Sequence, residues 1–188
     1  MAINTEDLTR FAQWEPVAPG FGRQDLTVQK HIQPILDRIG VSADVLGCNF
    51  EKVAYCVFEQ GGLSNYFAFF VFRPGDKELT IGPYRCQSGI SVYLSLLAPI
   101  GVFGHTEQMR GDAVYFPPYL EIENLLDPND ANDPLTSTVI AAVQASEYRL
   151  LCPEDAQQRL PSGIEPYEYC MCNQPWERVF HVLFANTD

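Results

Sequence analysis

Apolar and polar positions alternate along the chain with two different periods. Val53 to Phe72 reads as two apolar runs joined by a turn on Gly61, Gly62 and Asn65. The second run, Tyr66-Phe67-Ala68-Phe69-Phe70-Val71-Phe72, has no polar position at all. A strand that is apolar on both faces needs cover on both, so the run predicts a central strand. A buried helix segment shares the pattern, but aromatic content, length and the turn that follows favour the strand. Arg73-Pro74-Gly75-Asp76-Lys77 supplies that turn, and Glu78 to Ile81 then reads as a short strand. Cys48 to Phe58 opens the sheet, so three strands joined by short turns imply an antiparallel meander. Gly82-Pro83-Tyr84 and Gln87-Ser88-Gly89 interrupt the pattern. Beyond them Ile90, Val92, Leu94 and Leu96 alternate with Ser91, Tyr93 and Ser95 up to Leu97, ended by Ala98-Pro99-Ile100-Gly101. That suits a fourth strand with one buried face, although a helix fits the segment too.

Helical spacing appears elsewhere. Residues 25–39 place Leu26, Ile32, Ile35, Leu36 and Ile39 on one stripe, with Asp25 as N-cap and Gly40 just past the end. Pro34 lies inside this stripe and predicts a kink, or a restart near Gln33. A second helix is expected over Leu135–Ser146, capped by Thr136 or Ser137, with Val139, Ile140 and Val143 inward. Tyr148 to Leu151 is extended or loop, and Pro153-Glu154-Asp155 opens a short helix to Leu160, closed by Pro161-Ser162-Gly163. Residues 1–24 read as an irregular arm pinned by Phe11, Trp14 and Phe21. Residues 102–134 read as the least regular part, because Pro117-Pro118 and the run from Leu126 to Pro134 forbid continuous structure. Pro175 to Phe184 fits a helix or a strand, and its β-branched and aromatic residues tip it to a strand. The expected whole is a single domain over residues 1–188: an α+β fold with an antiparallel meander of about 4–6 strands and helices packed on it.

Composition adds a constraint on partners. With 46% hydrophobic and 12% aromatic residues, a chain of 188 residues buries a core without a metal or disulfide staple. It carries 24 acidic and 12 basic residues, a formal net charge of -12. A phosphate backbone and an anionic membrane surface would both be repelled, so neither nucleic acid nor membrane is an expected partner. The charge serves either solubility or the steering of a basic protein partner. The first residues, MAINTEDLTRFAQWEP, lack the basic and apolar regions of a signal peptide. No run approaches the roughly 20 apolar residues of a membrane span. A cytoplasmic location is expected, with the six cysteines reduced and Cys56 a small core residue.

Candidate chemistry is sparse. Cys170-Met171-Cys172 could chelate a soft metal, but no second cysteine pair exists and His181 is the only nearby histidine, so a pair of thiols is expected and no metal. A cysteine nucleophile needs a base, and the histidines are His31, His105 and His181. His105 is best placed, in a glycine-bearing loop from Gly101 to Glu107, with Cys86 as the thiol to pair with it. A ligand pocket between the sheet and loop 99–134 would then be lined by Cys86, His105, Glu107 and Arg110. Phosphate loops are absent, and Asp127, Asp130 and Asp133 do not meet the positions of a calcium loop, so no cofactor is expected. What remains is a patch. Asp112, Glu121, Glu123, Asp127, Asp130 and Asp133 are interleaved with Tyr115, Phe116 and Tyr119, as on a face that binds a basic protein. The same aromatics would equally serve to attach the loop to the core.

In the C-terminal third, a helix is followed by Tyr148-Arg149-Leu150-Leu151, a short helix ending at Leu160-Pro161, and a final Phe180-His181-Val182-Leu183-Phe184. This order resembles the tail of small bacterial immunity proteins, which are encoded beside secreted toxins and neutralise them by direct binding. The resemblance implies an acidic α+β domain that plugs a toxin's active site and carries no catalytic residue. The leading expectation is therefore a non-enzymatic immunity or inhibitor protein. A small-ligand module or small enzyme is the second, and a homo-oligomeric structural subunit joined through the apolar hairpin or its flank the third.

Overall fold

The structure, a computed structural model, describes residues 3–22, 28–52, 64–74, 78–112, 114–130, 132–166 and 175–185. In chain order its elements are α1 (Thr5–Ala12), α2 (Val28–Leu46), β1 (Asn49–Lys52), β2 (Tyr66–Phe72), β3 (Glu78–Ile81), β4 (Tyr84–Ser95), β5 (Ile100–Arg110), β6 (Tyr115–Phe116), a 3-10 turn (Ile122–Asn124), α3 (Pro134–Gln144), β7 (Arg149–Leu150), α4 (Pro153–Ala156) and α5 (Val179–Leu183). The fold is α+β. Its sheet runs β1-β2-β4-β5-β6, with β3 also paired to β4 and β7 added to β5 as a parallel strand.

The unbroken apolar run does what its pattern dictates. β2 lies between β1 and β4, and all of its residues are buried. Phe67, Phe69 and Val71 pack in a core with Ile32, Ile35 and Ile39 of α2 and Val139 and Val143 of α3. Tyr66, Ala68, Phe70 and Phe72 belong to a second core with Phe11 of α1 and Val179, Phe180 and Leu183 of α5. Cover on both faces also explains β4, where the alternating pattern predicts one wet face. Ser91, Ser95 and Tyr93 are buried as well, because each polar group has a partner. Ser91 Oγ and Thr106 Oγ1 lie 2.6 Å apart, Tyr93 Oη accepts the Leu120 amide at 3.0 Å, and Ser95 Oγ accepts the Leu97 amide at 3.2 Å.

Antiparallel neighbours follow one another along the chain, with one departure from a simple meander. Val71 pairs with Ile90 and Glu78 with Gln87, so β2 and β3 lie end to end along the same edge of β4. Of the turn expected between them, Gly75-Asp76-Lys77 lie outside the described residues. The reversal comes at Gly82-Pro83, between the paired Ile81 and Tyr84, with Gly82 at φ 60°. Gln87, Ser88 and Gly89 lie within β4 and break nothing.

Other boundaries also move. The N-terminal arm contains a regular helix, α1, whose cap is Asn4: its Oδ1 accepts the Asp7 amide at 2.8 Å. Phe11 and Phe21 are buried, as expected of pins, and Trp14 takes a left-handed φ of 59° just past the helix. α2 runs through Pro34 and Gly40 to Leu46 and stops at Gly47, at φ 64°. Its buried stripe continues through Ala43, and this packing outweighs the poor helix propensity of Gly40 and Pro34. α3 is capped by Asp133 rather than by Thr136 or Ser137. The segment expected to be least regular opens with a long strand, β5, which pairs with β4 from Gly101 to Arg110. Residues 179–183 form a helix, not a strand, and α4 ends at Ala156 instead of reaching Leu160. Asn65 holds α5 in place: Nδ2 donates to the Val182 carbonyl at 3.0 Å, and Oδ1 accepts the Ala185 amide at 2.8 Å. The expected strand from Val53 to Phe58, the Gly61-Gly62 turn, the Asp25 cap with Leu26, Cys56 and Cys170-Met171-Cys172 lie outside the described residues.

Candidate functional site

Toward Arg85 and Arg110 the sheet loses its cover. Directly opposed residues of an antiparallel pair share a face, so the register sorts the side chains here into two sets. Leu79, Cys86, Met109 and Phe116 form one row. Ile81 and Tyr84 extend the same face, and the Tyr84 and Phe116 rings meet edge to face at 6.4 Å. Leu79 and Ile81 are each 59% exposed and Phe116 48%, around a half-buried Met109 and a buried Cys86. Gly111 leaves room for the Tyr84 ring, since a Cβ there would come within 2.8 Å of it. On the other face stand Thr80, Arg85, Arg110 and Tyr115, with the Arg110 guanidinium 5.1 Å from the centre of the Tyr115 ring. The result is an exposed apolar platform on paired strands, which hold it in one shape.

The residues expected to bind a partner do not gather around a single point. Tyr115 and Phe116 are adjacent in β6 and therefore face opposite ways. Asp112 is exposed in the turn between β5 and β6, where the Gly111 amide donates to the Val114 carbonyl at 2.8 Å. Tyr119, Glu121 and Glu123 are exposed where the chain leads into and through the 3-10 turn. The chain then passes the edge of β5: Leu125 packs with the α1/α5 core and Leu126 with the α2/α3 core, its amide bonded to the Phe103 carbonyl at 3.0 Å. Asp127, Asp130 and Asp133 follow that crossing. Asp127 accepts both nitrogens of Asn129 at 2.8 Å, Asp130 accepts from Asn132 Nδ2, and Asp133 accepts the amides of Leu135 and Thr136. Burial alone would raise the Asp133 pKa. Hydrogen bonds from the Thr136 side chain and amide and the Leu135 amide, with His105 nearby, hold it below the usual value. These three acids thus shape their own loop and helix cap.

The pocket residues are divided as well. His105 sits on β5 opposite Ile90, not in a flexible loop, and Gly104 beside it serves close packing: a Cβ there would overlap the Asn124 carbonyl. His105 and Glu107 share the face of Cys86, whereas Arg110 points to the other. Cys86 is opposite Met109, four residues along β5 from His105, which puts about 14 Å between them. Glu107 accepts a hydrogen bond from Ser88 Oγ at 3.2 Å. Among the described residues no group of three or more His, Cys, Asp or Glu side chains could hold a metal ion, and no helix is long and apolar enough to cross a membrane.

No protein-family model, curated protein or solved structure matches the chain.

Two features escape a reading of the sequence. One is a groove of about 510 Å³ between α2 and α3, lined by Asp37, Arg38, Val41, Ser42, Thr138 and Ala141, with Val41 69% exposed at its rim. The other is the exposure of Leu79 and Ile81 beside Phe116. Leu79 and Ile81 alternate with Glu78 and Thr80, which marks a two-faced strand. Whether anything covers the apolar face depends on helices distant in sequence.

Proposed function

We propose that this chain is a protein-binding domain whose partner is basic, acting as an inhibitor of the immunity kind. One observation carries the reading: a chain of net charge -12 exposes Leu79, Ile81 and Phe116 on one contiguous face of paired strands, beside a half-buried Tyr84. Exposed apolar groups cost free energy in water, and a rigid platform of aromatic and aliphatic groups is what a partner's anchors fill. The acidic surface speeds the encounter with a partner of opposite charge. Glu107 and Asp112 lie close to the platform along the chain, and both are exposed.

The test compares the protein with an Ile81→Lys/Phe116→Lys variant, both immobilised and exposed at low ionic strength to extracts and secreted fractions of the source cells. Both positions are exposed, so the variant keeps its fold. The expected result is a basic protein retained by the wild type alone, which after purification forms a stoichiometric complex and loses its own activity in it. Equal retention by both proteins, or a complex indifferent to the two lysines, overturns the proposal.

A further inference from the structure

The line of β2 and β3 along β4 leaves one strand edge open. Among the described residues β3 pairs with β4 and with nothing else, and all four of its residues are exposed. The two-residue reversal at Gly82-Pro83 makes Ile81 and Tyr84 a hydrogen-bonded pair. Pairs alternate along an antiparallel ladder, so Thr80 with Arg85 and Glu78 with Gln87 are the non-hydrogen-bonded ones. The amide and carbonyl groups of Glu78 and Thr80 therefore point away from β4, toward the open edge. No proline or bulge protects it, and Glu78 is the one charge in the strand.

Resting on the reading of the chain as a protein-binding domain, we infer that β3 receives an extended segment of the basic partner as an added strand, bonded through the main chain of Glu78 and Thr80. Strand addition takes affinity from main-chain bonds and specificity from alternate side chains. Here Leu79 and Ile81 belong to the face of Tyr84 and Phe116, so apolar residues at alternate positions of the incoming segment continue the platform. On the opposite face Glu78 is exposed and pairs with a lysine or arginine, while Arg85 beside Thr80 disfavours a second one there. Charge also decides between occupants. A second copy would bring another net charge of -12 edge to edge with the first, whereas a basic segment is attracted.

The probe is a synthetic peptide, capped at both ends, that alternates valine with lysine and threonine. Its binding is followed by amide hydrogen exchange and by titration. The expected result is slowed exchange at the Glu78 and Thr80 amides on peptide addition. Thr80→Pro removes an outward amide without breaking a bond to β4, and should weaken binding about tenfold while Thr80→Ala does not. Glu78→Lys provides an independent check, since it should weaken the lysine peptide and favour one carrying glutamate. Peptide binding that ignores Thr80→Pro and leaves both amides unprotected overturns strand addition, yet leaves the platform as the partner's seat. Protection that grows with protein concentration in the absence of peptide gives the edge to a second copy and overturns the basic segment. No binding at millimolar peptide also overturns the inference. The comparison with the Ile81→Lys/Phe116→Lys variant judges the protein-binding reading separately.

Discussion

Gly104 and Gly40 show how one residue type serves opposite ends. A methyl group at Gly104 would overlap the Asn124 carbonyl, so Gly104→Ala should lift the loop off β5 and destabilise the protein by about 1–3 kcal/mol in urea unfolding. Gly40 lies inside α2, where an added methyl group would meet nothing within 4 Å and φ is not left-handed. Gly40→Ala should therefore stabilise by about 0.5–1 kcal/mol. Read along the chain, Gly104 suggests a flexible loop and Gly40 a helix end, and neither holds. Close approach of Asn124 and continued packing of α2 are both long-range facts. His181 is a further residue whose role depends on its surroundings. Burial, assisted by the Arg178 charge and opposed by Glu123 and Glu177, lowers its pKa from 6.5 to about 4 while Nδ1 accepts the Arg178 amide at 3.1 Å. The folded state thus binds its proton less readily than the unfolded state does. The stabilisation is full above pH 6.5 and falls away between there and about 4, by up to about 3 kcal/mol. His181→Asn keeps an acceptor near Nδ1 without titrating, so the decline of stability with acid should be shallower in that variant.

At the scale of elements, caps and anchors decide what is built. Asp133 ties the start of α3 through Leu135 and Thr136, and Asp133→Ala should cost about 1 kcal/mol of stability. Asn65 binds both the Val182 carbonyl and the Ala185 amide while fully buried. Asn65→Leu should leave those groups unpaired, cost about 1–3 kcal/mol, and raise hydrogen exchange across α5 before the sheet. The sequence marks Asn65 as a turn residue, and nothing local shows that it anchors a helix far along the chain. β2 and α2 are legible because a fully apolar run and a helical stripe each carry their own period. α5 is not, since all five of its residues are buried and so short a run with no exposed side has no period to read. It forms a helix where Asn65 can hold its end.

On the scale of the molecule, charge and shape act together. If the acidic surface steers a basic partner, the association rate should fall steeply from low to high salt while dissociation changes little, which stopped-flow mixing can measure. A flat profile would leave the platform without an electrostatic role. The acids themselves are spread out: the chain crosses from one core to the other between Leu125 and Leu126, which sets Glu121 and Glu123 apart from the loop of Asp127, Asp130 and Asp133. Total charge is a sum and survives any fold, but its distribution depends on where the backbone passes the sheet.

The order of residues alone determined the α+β class, the buried central strand, the α2 stripe and the acidic balance, because hydrophobic period and net charge are local or additive quantities. Tertiary structure alone decided that β3 continues the line of β2, that residues 100–110 form a strand and that 179–183 form a helix. It also left the face of Leu79, Ile81 and Phe116 uncovered. Pairing and cover are relations between distant segments, and the free energy that selects them comes from contacts that no single stretch of chain contains.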